Sequence, residues 1–163
     1  MEHASLVLTH DPDEGLSKPL TRYDVDAHAW AMEQAELMRL RRFDELDIEN
    51  LADEVQDVAR RERRELLSRL SLVYQHLLKW DHQPDRRSAS WARTIVEQRR
   101  QVDELLDEAR SLRSHLPALT ETAFRQGRVA ALNETDLPDA VMPDIDPYSW
   151  DDVMTRPIVW PEP

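Results

Sequence analysis

Polar residues interrupt an otherwise apolar helical stripe in the middle of the chain, and their types are those of acid–base chemistry. At about 100° per residue, Glu62, Arg69 and His76 lie within roughly 60° of the direction of Trp80. They therefore sit in or beside the apolar seam, with Glu65 flanking it. Gln34 and Gln98 take equivalent places on their own helices. If the helices on either side of Pro84 run antiparallel, Gln98 falls near the level of Arg69. One reading is a polar pocket inside a bundle, with Glu62 or Glu65 as general base and His76 as proton carrier. The plainer reading, which we favour, is a satisfied buried network of Glu62, Glu65, Arg69, His76 and Gln98 that fixes helix register. The two look alike in sequence. In a third reading, Glu62 and Arg69 reach past the seam and hold their charges in water.

A second group lies in the stretch His76 to Trp91, where a helical pattern runs into Trp80, a proline-containing turn follows, and a new helical pattern starts at Trp91. Lys79, Arg86, Arg87 and Arg93 cluster near the start of that later helix, which Ser88 or Ser90 would cap. A helix N-terminus presents unpaired N–H groups and favours anions. Lys79, Arg86, Arg87, Ser88, Ser90 and Trp91 thus form a candidate site for phosphate, sulfate or a partner's carboxylate. Trp80 and Trp91 offer faces for stacking. Against this stands the plainer expectation that both tryptophans anchor the core and that Asp81, Asp85 or the acidic tail occupies the arginines.

Other chemistry finds no foothold. Helical di-iron sites use Glu-x-x-His pairs, and no glutamate here has a histidine three residues later. His76 and His82 are six apart across an expected helix end, so no metal and no cofactor are expected. Gly15 and Gly127 stand alone, so there is no phosphate-cradling loop. Ser68, Ser71, Ser88 and Ser90 read as helix surface or caps rather than nucleophiles.

The elements that position these residues follow from apolar spacing. Residues 1–22 carry Pro12, Gly15 and Pro19 without periodicity and read as a mobile arm. Asp24 is placed to cap a first helix carrying Tyr23, Ala27, Trp30, Gln34, Leu37 and Arg41 at spacings of three and four. After a short connection at Arg41 to Leu46, Asp47 caps a second helix, with Glu49 suiting its dipole. Leu51, Val55, Val58, Glu62, Leu66, Arg69, Val73, Leu77 and Trp80 form one stripe, and as a single helix it would be about 50 Å long. A third helix carries Trp91, Ile95, Gln98, Val102, Leu105, Ala109 and Leu112. A fourth opens at Pro117 and carries small residues at Ala123, Gly127, Ala130 and Ala131, which permit close approach to a neighbour. Leu137-Pro138 ends it. The tail, 137–163, is rich in proline, but Tyr148, Trp150, Ile158, Val159 and Trp160 mark it as a segment that docks on the bundle or on a partner. Ser149 with Asp152 suits one short helical turn.

Composition agrees. The 163 residues hold 2 glycines against 10 prolines, and 33% are charged, which points to helices rather than many-stranded sheets. There are no cysteines, so disulfides and thiolate sites are excluded and a reducing, cytoplasmic setting is expected. The start of the chain does not resemble a signal peptide, and no stretch suits a bilayer. The net charge of -12 argues against a surface generally suited to nucleic acid. The charge is uneven, however. Arg60 to Arg100 holds 11 Lys+Arg and 5 Asp+Glu, the one basic segment in the chain. Charge runs usually only solvate helices.

Several stretches together resemble a known family. They are Phe43-Asp44-Glu45-Leu46-Asp47-Ile48-Glu49-Asn50-Leu51-Ala52-Asp53-Glu54-Val55, Arg63-Arg64-Glu65-Leu66, His76-Leu77-Leu78-Lys79-Trp80 and Gln83-Pro84-Asp85-Arg86-Arg87-Ser88-Ala89-Ser90-Trp91. With Tyr23-Asp24 through Trp30 at the opening and Leu137-Pro138 through Pro147-Tyr148 at the close, they resemble the uncharacterised bacterial family catalogued as domain of unknown function 29. The resemblance covers Tyr23 to Trp160 and implies a helical bundle. It implies no activity and no catalytic residues. Asp81-His82 departs from the aromatic-containing pair expected before Gln83-Pro84.

The fold expected is all-α: four main helices, mostly antiparallel up-and-down, forming one domain over 23–163 with the tail laid across it. Three functions fit. The favoured one is a non-catalytic helical interaction module working with a protein partner or as a homo-oligomer, away from membranes. The second is an anion or nucleic-acid binder using 60–100, and the third a small enzyme with a buried Glu/His pocket.

Overall fold

The computed structural model describes residues 20–160. These form α-helices joined by short 3-10 turns, with no strand among the described residues. The helices are α1 (Ala27–Arg39), α2 (Ile48–His82), α3 (Ala89–Glu108), α4 (Leu116–Thr135) and the short α5 (Trp150–Met154). This is the all-α bundle of four main helices that the stripes predict, with α2 packing against α3 and α4. Among the described residues no helix is long and apolar enough to cross a membrane. The expected arm, 1–22, lies outside the described residues except at its end, where Thr21 donates through its backbone N and its hydroxyl to Glu33.

By internal packing the chain divides into two compact units, Met1–Val55 and Gln56–Pro163. In the first, Asp26 rather than Asp24 caps α1, accepting from the Ala29 N–H at 3.0 Å. Asp24 is instead paired with Arg22. Trp30, Gln34 and Leu37 are buried along one face of α1, as their spacing requires. The helix ends with Arg41 in a left-handed conformation (φ 59) while Arg42 N bonds back to Leu37 O. That is the Schellman closure, here made without glycine. Asp47 joins the pieces. Its backbone N–H donates to Gln34 Oε1 at 2.8 Å, Trp30 Nε1 donates to its carboxylate, and its Oδ1 caps α2 through Asn50 N. The Asn50 side-chain amide also donates to the carboxylate at 2.7 Å, and this bond, with those from Asn50 N and Trp30 Nε1, outweighs desolvation and lowers the Asp47 pKa.

The second unit has its core where α2, α3 and α4 meet. Leu66, Leu70, Val73 and Leu77 of α2 are fully buried, as are Ile95 and Val102 of α3 and Ala123 and Ala131 of α4. Side-chain pairs fix the register. Arg69 meets Gln98 and Lys79 meets Trp91, so α2 and α3 are antiparallel. Ser71 meets Gln126 and Lys79 meets Glu134, so α2 and α4 run parallel. Gly127 marks the closest crossing. A Cβ there would come within 2.7 Å of Ser71 O and 2.8 Å of Gln75 N. Ser88, not Ser90, caps α3 by accepting from Trp91 N. Pro117 falls in the first turn of α4 as expected. Arg110–His115 is a 3-10 segment that apolar spacing does not reveal.

The tail docks on this bundle. Met142, Val153 and Met154 are buried, and Trp160 packs edge-on to Trp80 with centroids 6.1 Å apart. Ser149 and Asp152 close the capping box of α5.

Candidate functional site

The polar seam divides into two places. Arg69 donates to Gln98 Oε1 at 3.4 Å and to Glu65 at 3.2 Å, so these three share one network. It is not a buried network, because the Arg69 and Glu65 side chains are 32% and 50% exposed. The reason is geometric: Glu65 falls one residue off the seam that Leu66 occupies, and Arg69 follows it at i+4. Glu62, one turn earlier, makes none of these bonds. A cleft of about 310 Å³ opens here, lined by Glu65, Arg69, Arg100, Gln101, Glu104 and Glu108 with Leu105. Arg100 spans it between Glu97 and Glu104. Arg69 Nε and Gln101 Oε1 are buried without a protein partner.

His76 lies elsewhere. It is eleven residues beyond Glu65 on one helix, about 16 Å along the axis. Its Nδ1–H donates to Leu72 O at 2.9 Å, and burial lowers its pKa. Its charged neighbours are Lys79 and Glu134. Glu62, Glu65 and His76 therefore do not converge on a common cavity, which the base-and-carrier pocket requires.

At the turn between α2 and α3, two of the expected anion ligands are already committed. Lys79 is 6% exposed, bonds Glu134 Oε2 at 2.6 Å, and places its ammonium 4.4 Å from the Trp91 ring centroid. Arg87 donates through Nε to Trp80 O at 2.8 Å and stacks over the Trp80 ring. The expected pairing of these cations with Asp81, Asp85 or the acidic tail is also replaced. Asp81 accepts instead from Tyr148 Oη and from both terminal nitrogens of Arg156. Of the six residues named for this site, Arg86 and Ser90 remain exposed, Ser88 caps α3, and Trp91 is half-buried. Among the described residues no cluster of three or more His, Asp or Glu is placed to hold a metal ion.

Two arginines that sequence reasoning passed over hold the tail. Arg99, 8% exposed, donates to Val153 O, Asp152 O and Arg156 O at 2.6, 2.9 and 2.7 Å. Arg128 donates to Pro143 O and bridges Asp139 and Asp144. The signal for Arg99 was present: it lies four residues after Ile95 and three before Val102, squarely on the α3 seam. A charge at such a spacing reads as surface unless something caps it, and the cap here comes from fifty residues away. Tyr74 and Tyr148 add hydroxyl bonds to Asp146 and Asp81, and burial beside these carboxylates raises both phenol pKa values.

The third place is the first half of α2. Ile48, Ala52, Val55 and Ala59 each lie eighteen residues, about five turns, before Leu66, Leu70, Val73 and Leu77. They therefore sit on the same bearing around the helix. The later four are 0% exposed, whereas Ile48 is 61% and Val55 70% exposed, with Val58 beside them at 54%. One continuous stripe is buried from Leu66 onward and open before it.

A family model, the domain of unknown function DUF29, matches residues 22–158. The chain belongs to this family. Its DUF29 region takes in both the open stripe of α2 and the turn at Pro84. Within it, the stretch from Phe43 to Val55 supplies the Asp47 junction and the start of that stripe. The stretch from Gln83 to Trp91 supplies the Ser88 cap and the Arg87–Trp80 stack. No curated protein and no solved structure matches this DUF29 chain.

Proposed function

We propose that this DUF29 protein is a non-catalytic interaction module, and that its docking face is the open stripe on the first half of α2. The observation that carries this is the five-turn repeat: residues on the bearing of the buried core residues stand exposed at Ile48 and Val55. Alternating a buried and an open stretch on one apolar stripe is what a helix-in-groove or helix-on-helix partner uses. An enzyme reading lacks its convergence, since His76 is bonded to Leu72 O and far from Glu65. An anion-binding reading retains Arg86 and the Ser88–Ser90 backbone but loses the charges of Lys79 and Arg87 to internal partners.

The test is site-specific photo-cross-linking in cells, with the reactive group at Val55 or Val58 and controls at exposed Arg93 and Glu121. Adducts to another protein chain, whether a second copy or a different protein, concentrated at Val55 and Val58 are expected. Adducts absent there, or equal to the controls, would leave the module without its docking face.

A further inference from the structure

We infer that the strap 136–148, held on α4 by Arg128, is a second docking surface, and that its occupant is a segment of a protein partner carrying lysine or arginine beside apolar residues. This surface lies wholly within the second unit and is independent of the open stripe on α2.

The strap begins an acidic run. From Asp136 to Thr155 the chain holds six aspartates and no lysine, arginine or histidine. Arg128 ties the run down, donating to Pro143 O at 2.9 Å and to Asp139 O at 3.1 Å and pairing with the Asp139 and Asp144 carboxylates. Asp146 is fixed separately, accepting from Tyr74 Oη at 2.7 Å and from Tyr148 N at 2.9 Å. Ile145 stands between these two anchored aspartates and is 82% exposed. An isoleucine on a slack loop can turn inward, but one whose neighbours are both bonded is held out. A surface fixed in this way loses little freedom when a partner covers it.

Ile145 and its flanking aspartates form one wall of a groove of about 380 Å³, and Pro117, Glu121 and Phe124 of α4 line the other. Pro117, Phe124 and Ile145 give it an apolar lining suited to an aliphatic side chain. The strap also walls a second groove of about 450 Å³, where Val141, Pro143 and Pro147 meet Asp81 and Tyr148. Two grooves walled by one strap suit a chain segment, which can place successive side chains, better than a single small molecule.

Charge selects the segment. At the first groove and its edge stand the carboxylates of Glu121, Asp139, Asp144 and Asp146, against two cations, Arg125 and Arg128. Arg128 serves two carboxylates at once, and these stay 74% and 86% exposed. The positive end of α4 adds only about half a charge and fades within its first turn. The excess is negative, so a lysine or arginine beside the apolar contact is attracted and an acidic residue repelled. The same reasoning disfavours a second copy as occupant, because two chains of net charge -12 repel each other.

The test is an NMR titration of the full chain with three synthetic octapeptides: lysine with two leucines, the same with glycine for leucine, and the same with glutamate for lysine. The lysine–leucine peptide should shift the amides of Thr120, Glu121, Ile145 and Asp146 with a Kd on the order of 100 µM, weaker at higher salt. The glycine peptide should bind at least about fivefold more weakly, and the glutamate peptide should not bind. Ile145→Ser should weaken binding at least about fivefold with an unchanged melting midpoint, since the residue is exposed. Glu121→Gln with Asp144→Asn, which keeps an acceptor for Arg128, should weaken it and flatten its salt dependence. Val96→Ser, at an exposed apolar residue of α3, should change nothing. Shifts spread evenly over other acids, such as Glu104 and Asp107, mark charge alone and overturn the inference. So does a glycine peptide that binds as well as the leucine one, or binding indifferent to Ile145→Ser. Shifts confined to Val55 and Val58 would move the site to α2 and sink this surface while leaving the α2 face standing. A chain that dimerises in sedimentation, and ceases to with Ile145→Ser, puts a second copy on the strap and overturns the inference as well.

Discussion

His76 and Arg99 show how far a side chain's role depends on what faces it. One sequence reading of His76 is a proton carrier, and the favoured one is a member of a structural polar network. In the structure its Nδ1–H is spent on Leu72 O, and burial, with Lys79 nearby, outweighs that bond and the pull of Glu134, so its pKa is lowered from the ordinary histidine value. The folded protein keeps it neutral while the unfolded chain takes up a proton. Stability from this group is thus complete above the unfolded pKa and is lost as pH falls from there through the folded value. Comparing urea unfolding at about pH 7.5 and pH 5.5, the wild type should lose more stability than His76→Gln; equal losses would mean that His76 is solvated. Arg99 is the opposite case, a cation whose partners are three carbonyls of the tail. Removing its guanidinium strands acceptors in a buried place, so Arg99→Ala should cost on the order of 3 kcal/mol. Arg99→Lys should recover only part, because a lysine cannot reproduce the fork. A denaturant melt showing under about 0.5 kcal/mol would place the tail carbonyls in water.

At the scale of elements, helix α4 is set against α2 by one glycine. Replacing a mid-helix glycine by alanine normally gains about 1 kcal/mol in helix propensity. At Gly127 the new Cβ would meet Ser71 O at 2.7 Å and Gln75 N and Tyr74 Cβ at 2.8 Å, and two of these are backbone atoms that cannot swing aside. Forcing the helices apart costs on the order of 1–3 kcal/mol or more, since the whole contact loosens. We expect Gly127→Ala to destabilise despite the propensity gain. A variant as stable as wild type would show a looser crossing. This closeness was partly legible: the small residues at Ala123, Gly127, Ala130 and Ala131 announced it, although Ala130 turns out less buried than the others. The helices, the Asp47 cap and the opening of α4 at Pro117 were legible too, and the α3 cap was narrowed to Ser88 or Ser90, because periodicity and capping are local. The stripe of α2 was legible as one unbroken pattern, but sequence left open whether a kink interrupts it, which the single helix Ile48–His82 settles, and could not show which part of it is covered. An apolar stripe carries the same pattern whether its partner is α3, α4 or another chain. The capping residue of α1 was missed by two positions, since Asp24 and Asp26 both suit the role and the choice follows from the Arg22 pair.

For the molecule as a whole, the fold turns several cations of the basic segment toward partners within the chain. Of its cations, Arg69, Lys79, Arg87, Arg99 and Arg100 are engaged with Glu65, Glu134, Trp80 O, the tail carbonyls and Glu97. Net charge by segment counts charges without knowing which acids the fold brings to them. The tail is the largest such contribution. Arg156 reaches Asp81 across 75 positions of sequence, Tyr148 reaches it across 67, and Tyr74 meets Asp146 across 72. Proline content suggested an extended strap, and the strap completes the core by burying Met142, Val153 and Met154. A chain ending after Leu137 would leave Trp80, Tyr74 and the cationic Arg99 without their cover, so apolar area and a buried charge would be exposed together. Helices α2, α3 and α4 would still have their stripes, and their local contacts would persist. We therefore expect this truncation to keep most far-UV helical signal while losing near-UV tryptophan signal and cooperative unfolding and gaining dye binding, the marks of a loosened core. Asp81→Ala with Arg156→Ala, which cuts the latch but leaves the apolar residues, should lower the melting midpoint yet remain cooperative. If the truncated chain instead melts as sharply as the full one, the tail is an appendage and the core closes without it.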